Sequence, residues 1–199
     1  MLELWLIRHG ETDWNTQARI QGSSDTPLNA NGMRQAQHLA RRLARETFDA
    51  VYSSDMQRAR LTATTALPSH EPRLDQRLRE LAYGVLEGKS WSSMTAEEEA
   101  IAAHWHGDPY TRRVPGGESY GDLITRVEAF RADLHGDGRA IAFTHGGTIR
   151  SALYGLIGRP NGAAWRVAID NTSITRLRFD ERGVTIVGIN DRAHLEGVD

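Results

Sequence analysis

The sequence predicts an α/β fold in which a mostly parallel central sheet is flanked by helices. Strand-like apolar runs alternate with helix-like periodic segments along the chain, as is typical of a sheet covered by helices. Two buried strands, at residues 2–7 and 140–143, each end close to a histidine followed by glycine. In open α/β sheets, ligands bind beyond the carboxyl ends of the strands. The sequence therefore places the candidate site at that edge.

In the first half of the chain, the strand at residues 2–7 is followed by a polar loop and then by a helix over residues 30–45. One face of that helix carries the apolar residues Met33, Ala36, Ala40 and Leu43. Residues 50–53 form a second, short strand. Ser54 and Gln57 have the spacing of a capping box, which predicts a helix that continues to about residue 67.

In the second half, residues 81–118 have weak periodicity and are predicted to form a small insertion that folds over the site. A long helix over residues 119–134 follows, and Ser119 with Asp122 has the pattern of its N-cap. The strand at residues 140–143 precedes a helix that ends near residue 157. Two further β-type stretches lie at residues 173–179 and 184–189.

The composition is that of an ordinary globular protein, with 199 residues, 39% of them hydrophobic and 25% charged. This length predicts a single domain over residues 1–199. A net charge of −2 gives no support for a nucleic-acid surface, and the absence of cysteine excludes thiolate catalysis. Residues 2–7 are too short for a signal core, and no apolar run approaches membrane-spanning length. We expect a cytoplasmic protein without nucleic-acid or membrane partners, with a homodimer left open.

The strongest functional pattern is Arg8-His9-Gly10, directly after the first strand. The imidazole can attack an electrophile, the guanidinium can hold an anion, and glycine lets the backbone approach that anion. His145 and Gly146 repeat the pattern after the strand at residues 140–143, which indicates one shared anion site. If the anion is a phosphoryl group, His9 is the expected nucleophile, kept neutral by cationic neighbours that lower its pKa.

Arg58 is predicted to lie in the first turn of its helix, where the helix dipole disfavours a cation by roughly 0.3–1 kcal/mol. A bound phosphate would compensate for this, whereas the alternative is a solvated arginine that points away. Arg8, Arg58 and a protonated His145 would together surround one phosphoryl group with positive charge. Such a cluster can replace a metal ion, so we expect no cofactor.

The best metal-binding candidate is the pair His104 and His106, with Asp108 nearby. It is weak, because residues two apart on a helix do not face each other. No metal site is therefore predicted.

Five segments that occur in order resemble the motifs of the histidine phosphatase superfamily, the phosphoglycerate mutase-like proteins. Together they span residues 1 to about 175. The segments are Arg8-His9-Gly10-Glu11-Thr12 with Trp14-Asn15, Ser53-Ser54-Asp55-Met56-Gln57-Arg58-Ala59, Leu78-Arg79-Glu80-Leu81-Ala82-Tyr83-Gly84, Gly116-Gly117-Glu118-Ser119 and His145-Gly146-Gly147.

This resemblance implies a phosphoglycerate mutase-like fold and assigns roles to several residues. It makes Arg58 a second phosphate-binding arginine and Glu80 the general acid that protonates the leaving alcohol. On sequence alone, Glu80 is equally compatible with a surface ion pair. The substrate-binding residues by the same resemblance are Asn15, Gln21, Gly22 and Gly146.

The family contains both phosphatases and mutases, whose shared residues do not separate them. This chain ends ten residues after Ile189, without the C-terminal tail of the mutase branch, and residues 171–175 resemble the phosphatase branch. We therefore expect a metal-independent phosphomonoesterase that acts on a small phosphorylated metabolite through a phosphohistidine. The alternatives are a cofactor-dependent phosphoglycerate mutase and a non-catalytic phosphoprotein-binding module. Arg112 and Arg113 suit a second anionic group of the substrate or face solvent.

Overall fold

The computed structural model of the chain describes residues 1–157 and 167–197. Its six-stranded sheet has the order β3-β2-β4-β1-β5-β6. The first four of these strands run parallel to one another, whereas β5 and β6 pair antiparallel. The mostly parallel α/β sheet predicted from the sequence is thus confirmed. The strands are β1 (Leu2–Arg8), β2 (Ala50–Ser53), β3 (Arg73–Leu74), β4 (Gly138–Thr144), β5 (Ile174–Asp180) and β6 (Gly183–Asp191).

Six α-helices lie among the described residues, together with three short 3₁₀ turns. The helices are α1 (Asp13–Thr16), α2 (Ala30–Leu43), α3 (Gln57–Ala66), α4 (Ala96–Gly107), α5 (Tyr120–Ala132) and α6 (Gly146–Ile157). The turns are Gln76–Leu78, Gly84–Leu86 and Ala193–Leu195. No helix in the described part of the chain is long and apolar enough to cross a bilayer.

The sheet separates two apolar cores because successive side chains of a strand point to opposite faces. Trp5 and Ile7 of β1 pack with α2 and α3 on one face. Leu4 and Leu6 pack with α5 and α6 on the other. In the strand order, β1 and β4 lie at the centre of the sheet. Because both faces of the sheet are covered, the carboxyl ends of these two strands are held in fixed positions.

Residues 81–118 contain the helix α4, which the sequence analysis did not predict because the periodicity of this segment is weak. Thr95 opens α4 with a complete capping box, in which its side chain accepts from the Glu98 backbone and Glu98 binds back to the Thr95 N–H. The segment packs through a third apolar cluster, around Trp105, against α5. Its apolar contacts are concentrated at a few positions, so a helical repeat is not visible in the sequence.

The predicted capping box at the start of α3 is wrong. Met56 is the N-cap residue, without a side-chain hydrogen bond. The Gln57 N–H instead donates to the carboxylate of Asp25, 2.7 Å away, which lies on a distant loop. The Ser54 hydroxyl is used elsewhere, as described below. By contrast, the predicted cap of α5 by Ser119 and Asp122 is confirmed.

The predicted apolar face of α2 is only partly correct. Ala36 and Leu43 are buried, but Met33 and Ala40 are only half-buried. Leu39, which is completely buried, takes the central place on this face. The buried face of α2 is therefore rotated slightly around the helix axis from the predicted face.

Candidate active site

The ends of β1 and β4 bring two histidines into contact. Arg8, the last residue of β1, pairs with Thr144, the last residue of β4, in a parallel ladder. His9 and His145 follow these partners directly, and their ring centroids lie 5.1 Å apart. Strand register thus creates the shared site that the two histidine-glycine blocks predicted.

The His9 imidazole is buried and held in one orientation. Its Nδ1 donates a hydrogen bond to the Gly10 carbonyl at 2.7 Å, which leaves Nε2 with a lone pair. Burial, followed by the charges of Arg58 and Arg8, holds the pKa of His9 well below 6.5. The sequence analysis attributed the low pKa of His9 to its cationic neighbours, but burial lowers this pKa more than they do. A neutral ring with one free nitrogen can act as a nucleophile.

Arg58 lies in the first turn of α3 and is completely buried, so the solvated alternative is wrong. Its Nε donates to His145 Nδ1 at 3.2 Å, and its terminal nitrogens donate to the Ser24 and Gly22 carbonyls at 2.7 and 2.8 Å. The described residues thus use three of the five guanidinium N–H groups, which leaves two for an anion. Burial lowers the pKa of Arg58 to about 10, so the side chain stays cationic at neutral pH.

His145 differs from the protonated ring that the sequence led us to expect. It is completely buried, its Nδ1 accepts from Arg58, and its Nε2 lies 3.0 Å from the Ser54 hydroxyl. Burial, followed by the charges of Arg58 and His9, holds the pKa of His145 well below 6.5. The prediction of a third positive charge here is therefore wrong. His145 supplies a neutral ring that orients Arg58 and packs on His9.

Arg8 supplies the second permanent cation. One terminal nitrogen donates to the Ile169 carbonyl at 2.7 Å. Its Nε is buried and has no hydrogen-bond partner among the residues that the structure describes. A buried donor without an acceptor costs about 1–3 kcal/mol. A bound anion would remove that cost.

Glu80 places a carboxylate beside the same cations. Its Oε1 accepts from the Leu81 N–H at 2.9 Å and its Oε2 from the Gly147 N–H at 3.1 Å. Gly147 permits this approach, because a Cβ at that position would overlap Glu80 Oε1. The carboxylate therefore lies against the N-terminus of α6.

These side chains border a cavity of about 160 Å³. Seven of the nine site residues predicted from the sequence line it, whereas His145 and Gly146 are buried and do not. The seven are Arg8, His9, Asn15, Gln21, Gly22, Arg58 and Glu80. The predicted residues alone offer one nucleophile (His9), two cations (Arg8 and Arg58) and one carboxylate (Glu80) around a space that an anion can enter.

The sequence profile of the histidine phosphatase superfamily (branch 1) matches residues 4–192. The chain belongs to this superfamily. A curated relative, probable phosphoglycerate mutase GpmB of Salmonella choleraesuis, is 35% identical over 98% of this chain and 96% of its own length.

Two solved structures share the fold over nearly the whole chain. A mutant phosphoserine phosphatase of Entamoeba histolytica, in complex with phosphoserine, superposes with a TM-score of 0.86 at 26% identity, over 98% of this chain and 100% of that one. A putative alpha-ribazole-5'-P phosphatase of Escherichia coli also has a TM-score of 0.86, at 29% identity over 96% and 97% of the two chains. The chain is thus an enzyme of the histidine phosphatase superfamily.

In this superfamily member, four residues that sequence reasoning did not place in the site also line the cavity: Arg19, Ile20, Tyr83 and Trp91. Tyr83 had a signal, because it follows Glu80 by three residues in the same motif. Burial raises the pKa of Tyr83 to about 12, so its hydroxyl remains a hydrogen-bond donor. No sequence signal pointed to Trp91, because it lies in the segment of weak periodicity.

Glu87 is a further residue that the sequence did not single out. Its carboxylate accepts from the Ser23 backbone and hydroxyl at 2.8 Å, from the Ser24 hydroxyl at 2.8 Å and from the Tyr83 backbone at 3.0 Å. It therefore ties the loop that carries Gln21 to the loop that carries Tyr83. Only the three-dimensional structure shows this link between distant loops.

Arg112 and Arg113 do not line the cavity. Arg112 donates to the His104 carbonyl at 2.9 Å, and the exposed Arg113 forms a bidentate pair with Asp122 at 2.6 and 2.7 Å. In the part of the chain that the structure describes, no three His, Asp or Glu side chains cluster closely enough to hold a metal ion. His104 and His106 are both exposed on α4.

Proposed function

We propose that this enzyme is a phosphomonoesterase that hydrolyses small phosphorylated metabolites through a phosphohistidine on His9. One observation carries this proposal: among the described residues, a buried neutral His9 has a free Nε2 and lies beside two arginines that have unused N–H donors. A phosphoryl group carries negative oxygens that these donors fit, and phosphoryl transfer depends mainly on positioning and charge neutralisation.

In the first step, His9 Nε2 attacks phosphorus while the bond from phosphorus to the alcohol oxygen breaks. Protonated Glu80 gives its proton to the departing oxygen, so the product leaves as a neutral alcohol. The new phosphohistidine carries positive charge on its ring, which the Gly10 carbonyl stabilises through the Nδ1 hydrogen bond. Arg8 and Arg58 hold the phosphoryl oxygens throughout.

In the second step, water attacks the phosphohistidine. The Glu80 carboxylate takes a proton from that water as the bond between phosphorus and Nε2 breaks. Inorganic phosphate leaves, His9 returns to its neutral form and Glu80 is protonated again. No step in this sequence requires a metal ion, because two fixed guanidinium groups supply the positive charge.

The solved structures described above are named as phosphatases, which supports hydrolysis as the reaction. The second candidate is a phosphoglycerate mutase, because a relative with 35% identity carries that name as a probable assignment. The two activities share the phosphohistidine. They differ in whether water or a bound hydroxyl group accepts the phosphoryl group.

The test is a panel of phosphorylated metabolites assayed for phosphate release, with phosphoserine, phosphorylated sugars and 3-phosphoglycerate included. Incubation with 3-phosphoglycerate and a small amount of bisphosphoglycerate measures mutase activity in parallel. We expect phosphate release from at least one monoester to exceed interconversion of the phosphoglycerates. Faster interconversion than phosphate release would assign the mutase function instead.

A further inference from the structure

Arg126 of α5 makes an unusually complete set of contacts with the chain segment that carries Glu80. Its terminal nitrogens donate to the carbonyl oxygens of Arg77, Arg79 and Glu80 at 2.8, 2.7 and 2.9 Å. Its Nε and one terminal nitrogen donate to the two carboxylate oxygens of Glu118, both at 3.0 Å. A guanidinium has five N–H groups, and all five are used.

Glu118 extends this network to the other side of Glu80. Its Oε2 accepts from the Ala82 N–H at 3.1 Å, and its own N–H donates to the Ala82 carbonyl at 2.8 Å. Backbone atoms before and after Glu80 are thus bound to one Arg126–Glu118 pair. Both side chains are mostly shielded from solvent, with 18% and 28% of their surfaces exposed.

The segment needs such support because little regular structure holds it. After the short turn Gln76–Leu78, the next regular element is the turn at Gly84–Leu86. The Glu80 carboxylate itself is held only by two backbone N–H groups among the described residues, one of them from its own neighbour Leu81. Misplacement of a catalytic group by about 1 Å can cost roughly 10²-fold in rate.

We propose that Arg126 is a positioning residue that fixes Glu80 for proton transfer to the leaving group. This inference rests on the proposed function, in which Glu80 acts as the acid. Arg126 does not line the cavity that contains His9, although it borders a neighbouring cavity together with Glu80. Its hydrogen bonds reach the Glu80 segment through the backbone carbonyls of residues 77–80 and through Glu118. A lysine at this position would keep the charge but has three donors, so at least two of the five hydrogen bonds would be lost.

The test compares Arg126→Lys with wild type on two substrates. One is para-nitrophenyl phosphate, whose leaving group departs without much help from an acid. The other is the best alkyl phosphate found in the panel, whose leaving group needs a proton. We expect kcat/KM for the alkyl phosphate to fall by about tenfold or more, and that for the nitrophenyl ester by less than about threefold. A merely structural role would lower both values in equal proportion and would overturn the proposal.

Arg139→Lys is the matched control, because this arginine also pairs with a carboxylate, that of Glu46 at 2.7 Å, but lies near the start of β4 and has no hydrogen bond to residues 77–82 in the described part of the chain. It should leave the ratio of the two kcat/KM values unchanged. In the double variant with Glu80→Gln, Arg126→Lys should add little further loss on the alkyl phosphate, because the acid it positions is already gone. Additive losses would overturn the proposal.

If circular dichroism shows that Arg126→Lys is unfolded, Glu118→Gln takes its place. It is judged by the same ratio of the two kcat/KM values. It keeps the size of the side chain, but the amide has a single acceptor oxygen, so one of the two hydrogen bonds from the guanidinium is lost and the other is weakened. Failure of the underlying function is distinguishable: wild type would then release no phosphate, or Glu80→Gln alone would not lower the ratio.

Discussion

His9 has a single ring nitrogen available for chemistry, because its Nδ1 is committed to the Gly10 carbonyl. His9→Ala should therefore lower kcat by more than about 10³-fold, since only binding and charge stabilisation would remain. Rapid quench of the wild type with labelled substrate, followed by alkaline digestion, should find the label on His9. Phosphoramidates of histidine are labile in acid, so acid treatment should release it. Label on His145 would exchange the roles of the two histidines.

Glu80→Gln tests the proposed role of Glu80 as the general acid. The amide keeps the size and hydrogen-bonding capacity of the side chain but cannot deliver a proton. General acid catalysis typically contributes on the order of 10²–10⁴-fold where the leaving group needs it. We expect a loss of this order in kcat/KM for alkyl phosphates and a much smaller loss for para-nitrophenyl phosphate. Single-turnover rates avoid masking by slow dephosphorylation. Equal losses would remove Glu80 from the acid position.

The two buried histidines also predict how stability depends on pH. Both have pKa values well below 6.5 in the folded protein, mainly through burial. Below about pH 6.5 the unfolded chain therefore binds more protons than the folded one, so the free energy of unfolding falls as the pH falls. The slope is up to about 1.4 kcal/mol per pH unit for each histidine. His194, whose pKa partial burial lowers to about 4, adds to it.

Urea unfolding at several values between about pH 7 and about pH 5 measures this slope. His9→Asn isolates one contribution, because it removes one buried imidazole and leaves the others. Its slope should be smaller than that of the wild type by up to about 1.4 kcal/mol per pH unit. A stability that does not change over this range would contradict the neutral state assigned to both rings.

At the scale of elements, the loop after β1 is fixed by close packing against the start of α2. A Cβ on Gly32 would overlap the backbone carbonyl oxygen of Glu11, and neither backbone can move freely. Gly32→Ala should therefore destabilise the fold by about 1–3 kcal/mol, as overpacking usually does. Because the loop carries Gly10, the proposed phosphatase activity should fall as well.

Gly188→Ala in β6 is the matched control for this substitution. Among the described residues, a Cβ at that position meets only the Arg176 side chain, at an ordinary contact distance of 3.7 Å. Thermal unfolding of both variants separates the effect of the site from that of a lost glycine. Equal melting temperatures for the two variants would show that the Gly32 contact is not a constraint.

The elements also show where sequence reasoning succeeds and where it fails. Apolar runs locate β1 and β4, and the register between them follows from the sheet, so the meeting of His9 and His145 was predictable. Ser54 illustrates the limit. Its spacing to Gln57 fits a capping box, but the hydroxyl contacts His145 while Asp25 caps the helix from another loop. Local sequence cannot reveal such long-range competition for a hydrogen bond.

Over the whole molecule, charge and burial act together, and this explains the one electrostatic error. The sequence shows that Arg8, Arg58 and His145 come together, which suggested three cations. It does not show that the imidazole is completely buried and already accepts a hydrogen bond from Arg58. Desolvation then favours the neutral ring. Permanent positive charge at the site is thus carried by arginines, and burial lowers the pKa of Arg58 only to about 10.

This distribution of charge predicts that catalysis needs no divalent metal. Arg8 Nε and the two remaining N–H groups of Arg58 offer fixed donors for phosphoryl oxygens, the role that magnesium has in many phosphotransferases. Hydrolysis of para-nitrophenyl phosphate should therefore persist at its full rate after exhaustive treatment with EDTA and removal of the chelate. Arg58→Lys keeps one charge but loses the fork that binds His145 and both carbonyls, so its kcat/KM should fall by about 10²-fold or more. Magnesium should not restore the activity of that variant. Loss of wild-type activity under EDTA, with recovery on addition of magnesium or zinc, would show that a metal supplies charge which the two arginines do not.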